Sequence, residues 1–230
     1  GLKIPEPDSS LTRVGPGTPC GELMRRYWQP VCLSADLQEL PKAVRILGED
    51  LIAFRDGAGR AGLLFPRCSH RGTSLEYGRV EQRGLRCCYH GWLYDVEGNI
   101  LEMPLEPTLN PYLKQFQHPC YPLREFAGLV FAYMGPLDKI PELPIYDVWQ
   151  KDGGALKARM GPRIGGPVNC NWLQAEENLM DALHTFWLHT RHSGVADHYA
   201  TSDEHALAIA RRVVGNLALS IQGQPCATAR

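Results

Sequence analysis

The sequence lacks two features: an apolar run long enough to cross a bilayer, and an excess of charge of either sign. GLVFAYM at 128–134 has only the length of a buried strand. Lys and Arg number 24 against 25 Asp and Glu, so the formal net charge is −1. A nucleic-acid surface needs a concentrated basic patch, whereas these charges are scattered. The composition therefore predicts neither a nucleic-acid partner nor a membrane partner.

The N-terminal segment GLKIPEPDSS also lacks the charged-then-apolar order of a secretory signal peptide. The eight cysteines are then expected in a reducing compartment. There, cysteines that lie near histidines indicate a metal site rather than a disulfide framework. We therefore expect a cytoplasmic protein that holds metal.

Short β-rich runs alternate with turns up to about residue 135. The strands are predicted at 44–48, 51–56 and 128–135, with Glu49 and Asp50 between the first two and turns at 56–62 and 96–99. A short helix is expected within 21–32. This pattern predicts an antiparallel sandwich or barrel, followed by a Pro-rich linker over 135–147.

The pattern changes to a helical one after the linker. Residues 169–190 contain no Gly or Pro and place apolar side chains at helical intervals, which predicts one helix capped by Asn169 or Asn171. A strand is expected at 213–221, VVGNLALSI. Strands before helices give an α+β fold class.

Two short motifs between residues 68 and 90 combine cysteine with histidine. Cys68-Ser-His70 is followed, after sixteen residues, by Cys87-Cys-Tyr-His90. Two such turns can close around a binuclear centre, with both cysteines on one iron and both histidines on the other. Exchanging two thiolates for neutral imidazoles removes negative charge, which raises the reduction potential above that of an all-cysteine cluster.

A zinc site is the alternative, because two Cys and two His also satisfy tetrahedral zinc. Zinc fingers group Cys with Cys and His with His, whereas each turn here mixes the two, which favours iron. Only Cys87 has the C-x-x-H spacing, so Cys88 is expected beside the centre, together with Tyr89 and Trp92.

A second candidate site lies on the predicted helix. Asp181 and His184 are three residues apart and share a helix face. His184 and His189 are five apart, about 140° around an ideal helix, so they share a metal only if the helix widens or bends between them. Two His and a carboxylate are the ligand set of non-haem Fe(II). By itself this pattern is more often structural, but an upstream one-electron carrier needs an acceptor, which favours iron.

Taken together, the motifs resemble the oxygenase (alpha) subunits of Rieske non-haem iron aromatic ring-hydroxylating oxygenases, in the phthalate dioxygenase and aromatic O-demethylase branch. The resemblance runs from about Gly17 to about Gly194. It is carried by RYWQPVCLS, VRILGEDLIAFRD, CSHRGTSLEYGR, LRCCYHGWLYDVEGN, FAYMGP and NWLQAEENLMDALHTFWLH. It implies an N-terminal Rieske antiparallel β domain over 1–147. It also implies a helix-grip catalytic domain, a curved antiparallel sheet with a long helix, of which 148–230 is an incomplete part.

The resemblance also implies two cofactors and their ligands. A Rieske [2Fe–2S] cluster is held by Cys68, His70, Cys87 and His90. A mononuclear non-haem Fe(II) is bound by His184 and His189.

Two further residues match functional positions of the family. Asp181 matches the carboxylate that bridges, across the subunit boundary of a ring-shaped homotrimer, from a cluster histidine, here His90, to an iron-binding histidine, here His184. Asn178 matches a supporting position near the iron. The family's third iron ligand is a carboxylate far downstream, and no residue here is assigned to it. Three acidic residues lie too close to the second histidine to match it: Asp197, Asp203 and Glu204.

The implied activity is that of a terminal oxygenase component. It would use O2 and electrons from an NAD(P)H-dependent flavin/[2Fe–2S] reductase to O-demethylate or hydroxylate an aromatic acid, with a methoxylated lignin-derived aromatic favoured. One alternative is cis-dihydroxylation of a phthalate-like acid. Two others are a pure Rieske electron carrier, in which the helix with His184 and His189 is structural, and a zinc-stabilised interaction module.

Overall fold

The computed structural model describes residues 6, 8–104, 106, 115–150, 158, 170–189, 201–202 and 204–212. The chain divides into two compact units, Gly1–Asn169 and Cys170–Arg230. The predicted domain boundary between residues 147 and 148 stays a prediction.

The described part of the first unit contains three antiparallel sheets, after two short helices, α1 (Ser9–Thr12) and α2 (Pro19–Met24). The strands are β1 (Gln29–Leu33), β2 (Lys42–Ile46), β3 (Glu49–Arg55), β4 (Ala61–Leu64), β5 (Arg79–Glu81), β6 (Gly84–Arg86), β7 (Leu93–Tyr94), β8 (Ile100–Glu102), β9 (Leu123–Phe126) and β10 (Leu129–Ala132). The sheet orders are β1-β10-β9, β2-β3-β4 and β5-β6-β7-β8.

Most of the predicted strands are confirmed, and one turn is corrected. The turn between β2 and β3 falls at Leu47 and Gly48, both with positive φ, as a tight hairpin requires. Glu49 and Asp50, predicted to separate the two strands, therefore belong to β3. The predicted turn at 96–99 lies before β8, and the predicted turn at 56–62 is shorter than expected, because Ala61 and Gly62 already belong to β4. The predicted short helix is α2, which begins two residues earlier than expected, at Pro19.

Strand β3 separates two hydrophobic cores. Leu51 and Ala53 face the first core, together with residues of β1 and β10. Ile52 and Phe54 face the second core, which also contains Leu85. Successive side chains of a strand point to opposite faces, so β3 is buried on both sides and its sequence is a continuous apolar run. The second core also contains the thiols of the candidate metal motif.

The described part of the second unit contains helices only: α3 (Trp172–Met180), α4 (Ala182–Leu188) and α5 (204–212). The prediction of one continuous helix over 169–190 is wrong, because the chain is extended at Asp181, with φ −81° and ψ 92°. The Asp181 carboxylate accepts hydrogen bonds from the first N–H groups of α4, so it begins a new helix.

The cap of α3 is one of the two predicted residues. Asn171 accepts the N–H of Leu173 at 3.0 Å, and Asn169 lies outside the described residues. The predicted strand at 213–221 also lies outside them. Among the helices that the structure describes, none is long and apolar enough to cross a membrane.

Candidate metal centres

The two Cys/His motifs form two loops of the same design, which we call the first loop (68–72) and the second loop (87–91). In each loop the cysteine carbonyl accepts the N–H of a glycine four residues later, from Gly72 to Cys68 at 2.9 Å and from Gly91 to Cys87 at 3.2 Å. Both glycines have positive φ, 73° and 75°. A side chain disfavours that conformation, so glycine lets each loop close on its own cysteine.

Each loop is also closed at its base by a second backbone hydrogen bond. Cys68 donates its N–H to the carbonyl of Thr73 at 2.9 Å, and Cys87 donates to Trp92 at 2.8 Å. The first loop follows β4, and the second loop joins β6 to β7. The repeated pattern places a thiol at the start of each loop, with an imidazole two residues later in the first loop and three residues later in the second.

The two thiols lie together in the second core. Cys68 is 4% exposed and Cys87 is 2% exposed. Burial raises the pKa of the Cys87 thiol, and the contact with Cys68 raises it further, while the backbone N–H groups of Tyr89 and His90 oppose the shift by donating to the sulfur. Those N–H donors suit a cysteine that carries negative charge as a metal ligand.

The two imidazoles lie in contact at the loop tips. The rings of His70 and His90 have centroids 4.5 Å apart in an edge-on arrangement, and Trp92 stacks on His70 at 4.8 Å with an interplanar angle of 3°. Burial, followed by the neighbouring His90, lowers the pKa of His70, which favours its neutral form. The buried Nδ1 of His70 has no hydrogen-bond partner. A neutral ring with an orphaned nitrogen is what a metal-binding histidine requires.

This donor set fits a binuclear centre better than a zinc site. In the part of the chain that the structure describes, no three His, Cys, Asp or Glu side chains are placed to hold a single metal ion. Tetrahedral zinc needs four donors around one ion. Each iron of a Rieske cluster takes only two protein ligands, so the thiol pair and the imidazole pair satisfy it separately.

An ion-pair network fixes the second loop to the sheet. Arg86 donates to the carbonyl of Gly91 at 2.6 Å, to Glu81 at 2.8 Å and to Glu102 at 2.6 Å. Hydrogen bonds from Arg86 hold the pKa of Glu81 at about 2 against an ordinary value near 4.5. Two carboxylates and one guanidinium therefore connect β5, β6 and β8 to the loop.

Three residues beside the thiols received no role from the sequence. The Tyr94 hydroxyl lies 3.0 Å from Cys68 Sγ and accepts the N–H of Ser69 at 3.2 Å. The Ser69 hydroxyl lies 2.7 Å from Nδ1 of the fully buried His118. The only available signal was indirect, since Ser69 stands inside the first motif and Tyr94 follows the second by four residues. His118 stands alone in the sequence, without any ligand spacing.

The two histidines of the second candidate site are in contact. The Nε2 atoms of His184 and His189 are 3.1 Å apart, and the buried Nδ1 of His184 has no hydrogen-bond partner. The rings meet because α4 ends at Leu188, and His189 has φ −118° and ψ 16°. The spacing of the two histidines required a departure from ideal helix geometry. That departure is the end of α4, not a bulge inside the helix.

The other two residues predicted at this site are Asp181 and Asn178. Asp181 Oδ1 accepts the N–H groups of Leu183 and His184 at 2.9 and 3.0 Å, and Asn178 is an exposed residue of α3. Within the described ranges no carboxylate joins the two histidines to complete a metal site. The third iron ligand stays unassigned.

Comparison with known proteins identifies the first centre. Residues 27–117 match the family model described as the Rieske [2Fe-2S] domain. That range contains both loops, so the cluster is a cofactor of this chain. A zinc-stabilised module is excluded as the account of this region.

Three curated relatives place the chain within the larger family. It is 51% identical over 82% of its length to the phenoxybenzoate dioxygenase subunit alpha of Ectopseudomonas oleovorans, covering 48% of that protein. It is 42% identical over 82% of its length to the phthalate 4,5-dioxygenase oxygenase subunit of Pseudomonas putida, covering 43%. It is 41% identical over 82% of its length to the 5,5'-dehydrodivanillate O-demethylase oxygenase subunit of Sphingobium sp. (strain NBRC 103272 / SYK-6), covering 44%.

The chain spans less than half the length of these three relatives. The predicted α+β class is confirmed, with antiparallel sheets in the Rieske region and helices after it. The cofactors of this family are the Rieske [2Fe–2S] cluster and a mononuclear non-haem iron. The chain belongs to the Rieske non-haem iron aromatic oxygenases, as an oxygenase (alpha) subunit of the phthalate dioxygenase branch.

Proposed function

We propose that this chain is part of a terminal oxygenase component that uses O2 and reductase-derived electrons to O-demethylate or hydroxylate an aromatic acid. One observation carries the proposal: two buried thiols and two contacting imidazoles on paired loops, in a chain of this family. A Rieske cluster transfers single electrons, so such a protein either delivers them to its own catalytic iron or passes them to another protein.

In this proposal each iron takes one ligand from each loop. Cys68 and Cys87 bind one iron, and His70 and His90 bind the other. The N–H donors to Cys87 and the Tyr94 hydroxyl beside Cys68 compensate thiolate charge in the second core. The exposed Tyr89 ring, 3.8 Å from that of His90, lies at the solvent side of the imidazole pair.

The proposed second site is built at the start and end of α4. His184 and His189 bind the mononuclear Fe(II), which supplies the O2 chemistry when bound. Asp181 begins the same helix and links His184 to His90 of a neighbouring subunit in a homotrimer. The two N–H donors to Asp181 Oδ1 hold its carboxylate beside the backbone of His184. Asn178 supports this site from α3.

Two outcomes of the oxygen chemistry divide the substrate classes. Insertion of one oxygen into a methoxyl group releases formaldehyde, and the demethylase relative supports a methoxylated lignin-derived aromatic. Insertion of two oxygens gives a ring cis-diol, and the relative named phthalate 4,5-dioxygenase supports a phthalate-like acid. Formaldehyde release from methoxylated benzoates, measured against diol formation from phthalate, separates the two.

The remaining predictions complete the proposal. The electron donor is an NAD(P)H-dependent flavin/[2Fe–2S] reductase, and the location is cytoplasmic. A Rieske domain with an N-terminal extension, 1–147, precedes the catalytic domain that begins at residue 148.

Iron and acid-labile sulfide per chain, with the visible spectrum of anaerobically purified full-length subunit, test this proposal. Two sulfides with about three irons are expected of the oxygenase. Two sulfides with two irons would leave a Rieske electron carrier and remove the second site. Zinc without sulfide would contradict the proposal altogether.

A further inference from the structure

A second histidine system lies behind the first loop. His118 is fully buried, and its ring lies 4.6 Å from that of the equally buried Tyr94. Nε2 of His118 is 2.8 Å from the carbonyl oxygen of Phe65, and Nδ1 is 2.7 Å from the hydroxyl of Ser69. Ser69 stands between Cys68 and His70, so His118 contacts the first loop between its two proposed iron ligands.

The carbonyl of Phe65 determines which nitrogen of His118 carries the proton. A carbonyl oxygen only accepts, so Nε2 must be the donor. Burial lowers the pKa of His118, so the ring is neutral near pH 7 and its Nδ1 is an acceptor. The Ser69 hydroxyl therefore donates to Nδ1, and this bond fixes the rotamer of Ser69.

The backbone of Ser69 is held by Tyr94. Its N–H donates to the Tyr94 oxygen at 3.2 Å, and that hydroxyl lies 3.0 Å from Cys68 Sγ. A cysteine bound to iron is a thiolate and cannot donate, so the Tyr94 hydroxyl donates to the sulfur. A hydroxyl that accepts one hydrogen bond becomes a stronger donor in the next. Ser69 thus supports the hydrogen bond that reaches Cys68.

We propose that His118 is a positioning residue for the Rieske cluster, which acts through Ser69 and Tyr94 to strengthen the hydrogen bond to the Cys68 sulfur and so raises the reduction potential. The inference rests on the cluster ligation proposed above. A hydrogen bond to a cluster sulfur stabilises the more negative, reduced cluster, and such bonds are among the determinants of its potential.

Spectroelectrochemical titration of the cluster-loaded full-length subunit tests this inference with three single variants. His118→Leu and Ser69→Ala remove the same hydrogen bond from its two ends, so both lower the potential by a similar amount. The expected change is up to about tenfold in the redox equilibrium, about 59 mV for one electron. His118→Asn retains an acceptor near the position of Nδ1 and restores most of the loss.

The Tyr94→Phe background shows whether the effect passes through Tyr94. There, His118→Leu is expected to cause no further fall, because the hydroxyl that it supports is gone. Ser69→Ala changes an exposed residue, so it remains informative even where His118→Leu fails to fold.

The following outcomes overturn the inference. A potential unchanged by Ser69→Ala means that the hydroxyl bond to His118 does not influence the cluster. An equal fall caused by His118→Leu with and without the Tyr94 hydroxyl means that His118 acts by another route. Failure of the proposed function is distinguishable from these outcomes, because the unmodified protein would then contain no acid-labile sulfide.

Discussion

The two candidate centres are built by different physical means. The first uses two loops of repeated hydrogen-bond pattern whose thiols are below 5% exposed and lie in a core with Leu85 and Phe54. The second uses two histidines, one in the first turn of α4 and one just after its end, and apolar side chains of that helix remain exposed, with Leu183 at 79%. Local bonding and a core position both thiols and both imidazoles of the first centre. The second requires a further carboxylate that the described residues do not provide.

The largest expected effect is loss of the cluster on removal of one buried thiol. Cys87→Ala removes one of the two protein ligands of one iron, so acid-labile sulfide should fall from two per chain to near zero, together with the visible absorbance. The control is Cys88→Ala, which changes the adjacent exposed cysteine. The reverse result, with Cys88 essential and Cys87 dispensable, would exchange their assigned roles.

The second prediction separates the two centres. His184→Ala is expected to reduce iron from about three to about two per chain, with sulfide unchanged at two, because the cluster ligands lie on other elements. His205→Ala on α5 is the matched control and should leave both counts unaltered. Loss of sulfide together with iron in His184→Ala would show that the two regions are not independent.

The third prediction compares the packing of the two regions. Leu85→Ala in the second core is expected to lower the free energy of unfolding by about 2–5 kcal/mol. Leu183→Ala on α4 changes an exposed side chain and should stay within about 0.5 kcal/mol. Urea midpoints of the cluster-loaded protein measure both. A large loss for Leu183→Ala would place that side chain in a buried interface.

The smallest expected effect concerns the ion-pair network beneath the second loop. Because folding lowers the pKa of Glu81 to about 2, its stabilising contribution is present above pH 4.5 and disappears as the pH falls towards 2. Glu81→Gln should therefore cost about 1 kcal/mol at pH 7, after allowance for solvent screening, and progressively less as the pH falls below 4.5. Urea midpoints across this pH range measure the difference, with Glu76→Gln as control. A cost that does not depend on pH would exclude the charge as its source.

The first centre was predictable from sequence because its ligands are close in the chain. C-S-H and C-C-Y-H place each thiol within three residues of its imidazole, so local spacing was sufficient. The same loops have a second signature in the sequence, the glycines at positions 72 and 91. The positive φ of both residues explains why glycine stands there.

The contacts behind that centre were not predictable in the same way. His118 reaches Ser69 across 49 residues, and such a contact depends on how β4 and the later chain pack rather than on any local pattern. The break at Asp181 was missed for another reason. Apolar periodicity continues through it, and only the capping preference of aspartate, which competes with helix propensity, ends α3.

The most direct test of the central claim is pulsed EPR of the reduced protein labelled with ¹⁵N-histidine. The account predicts couplings from two directly bound imidazole nitrogens, with one lost from any cluster that still assembles in His70→Ala or His90→Ala. A reduced cluster without histidine nitrogen coupling would be an all-cysteine centre. That result would contradict the assignment of His70 and His90, and with it the account of both loops.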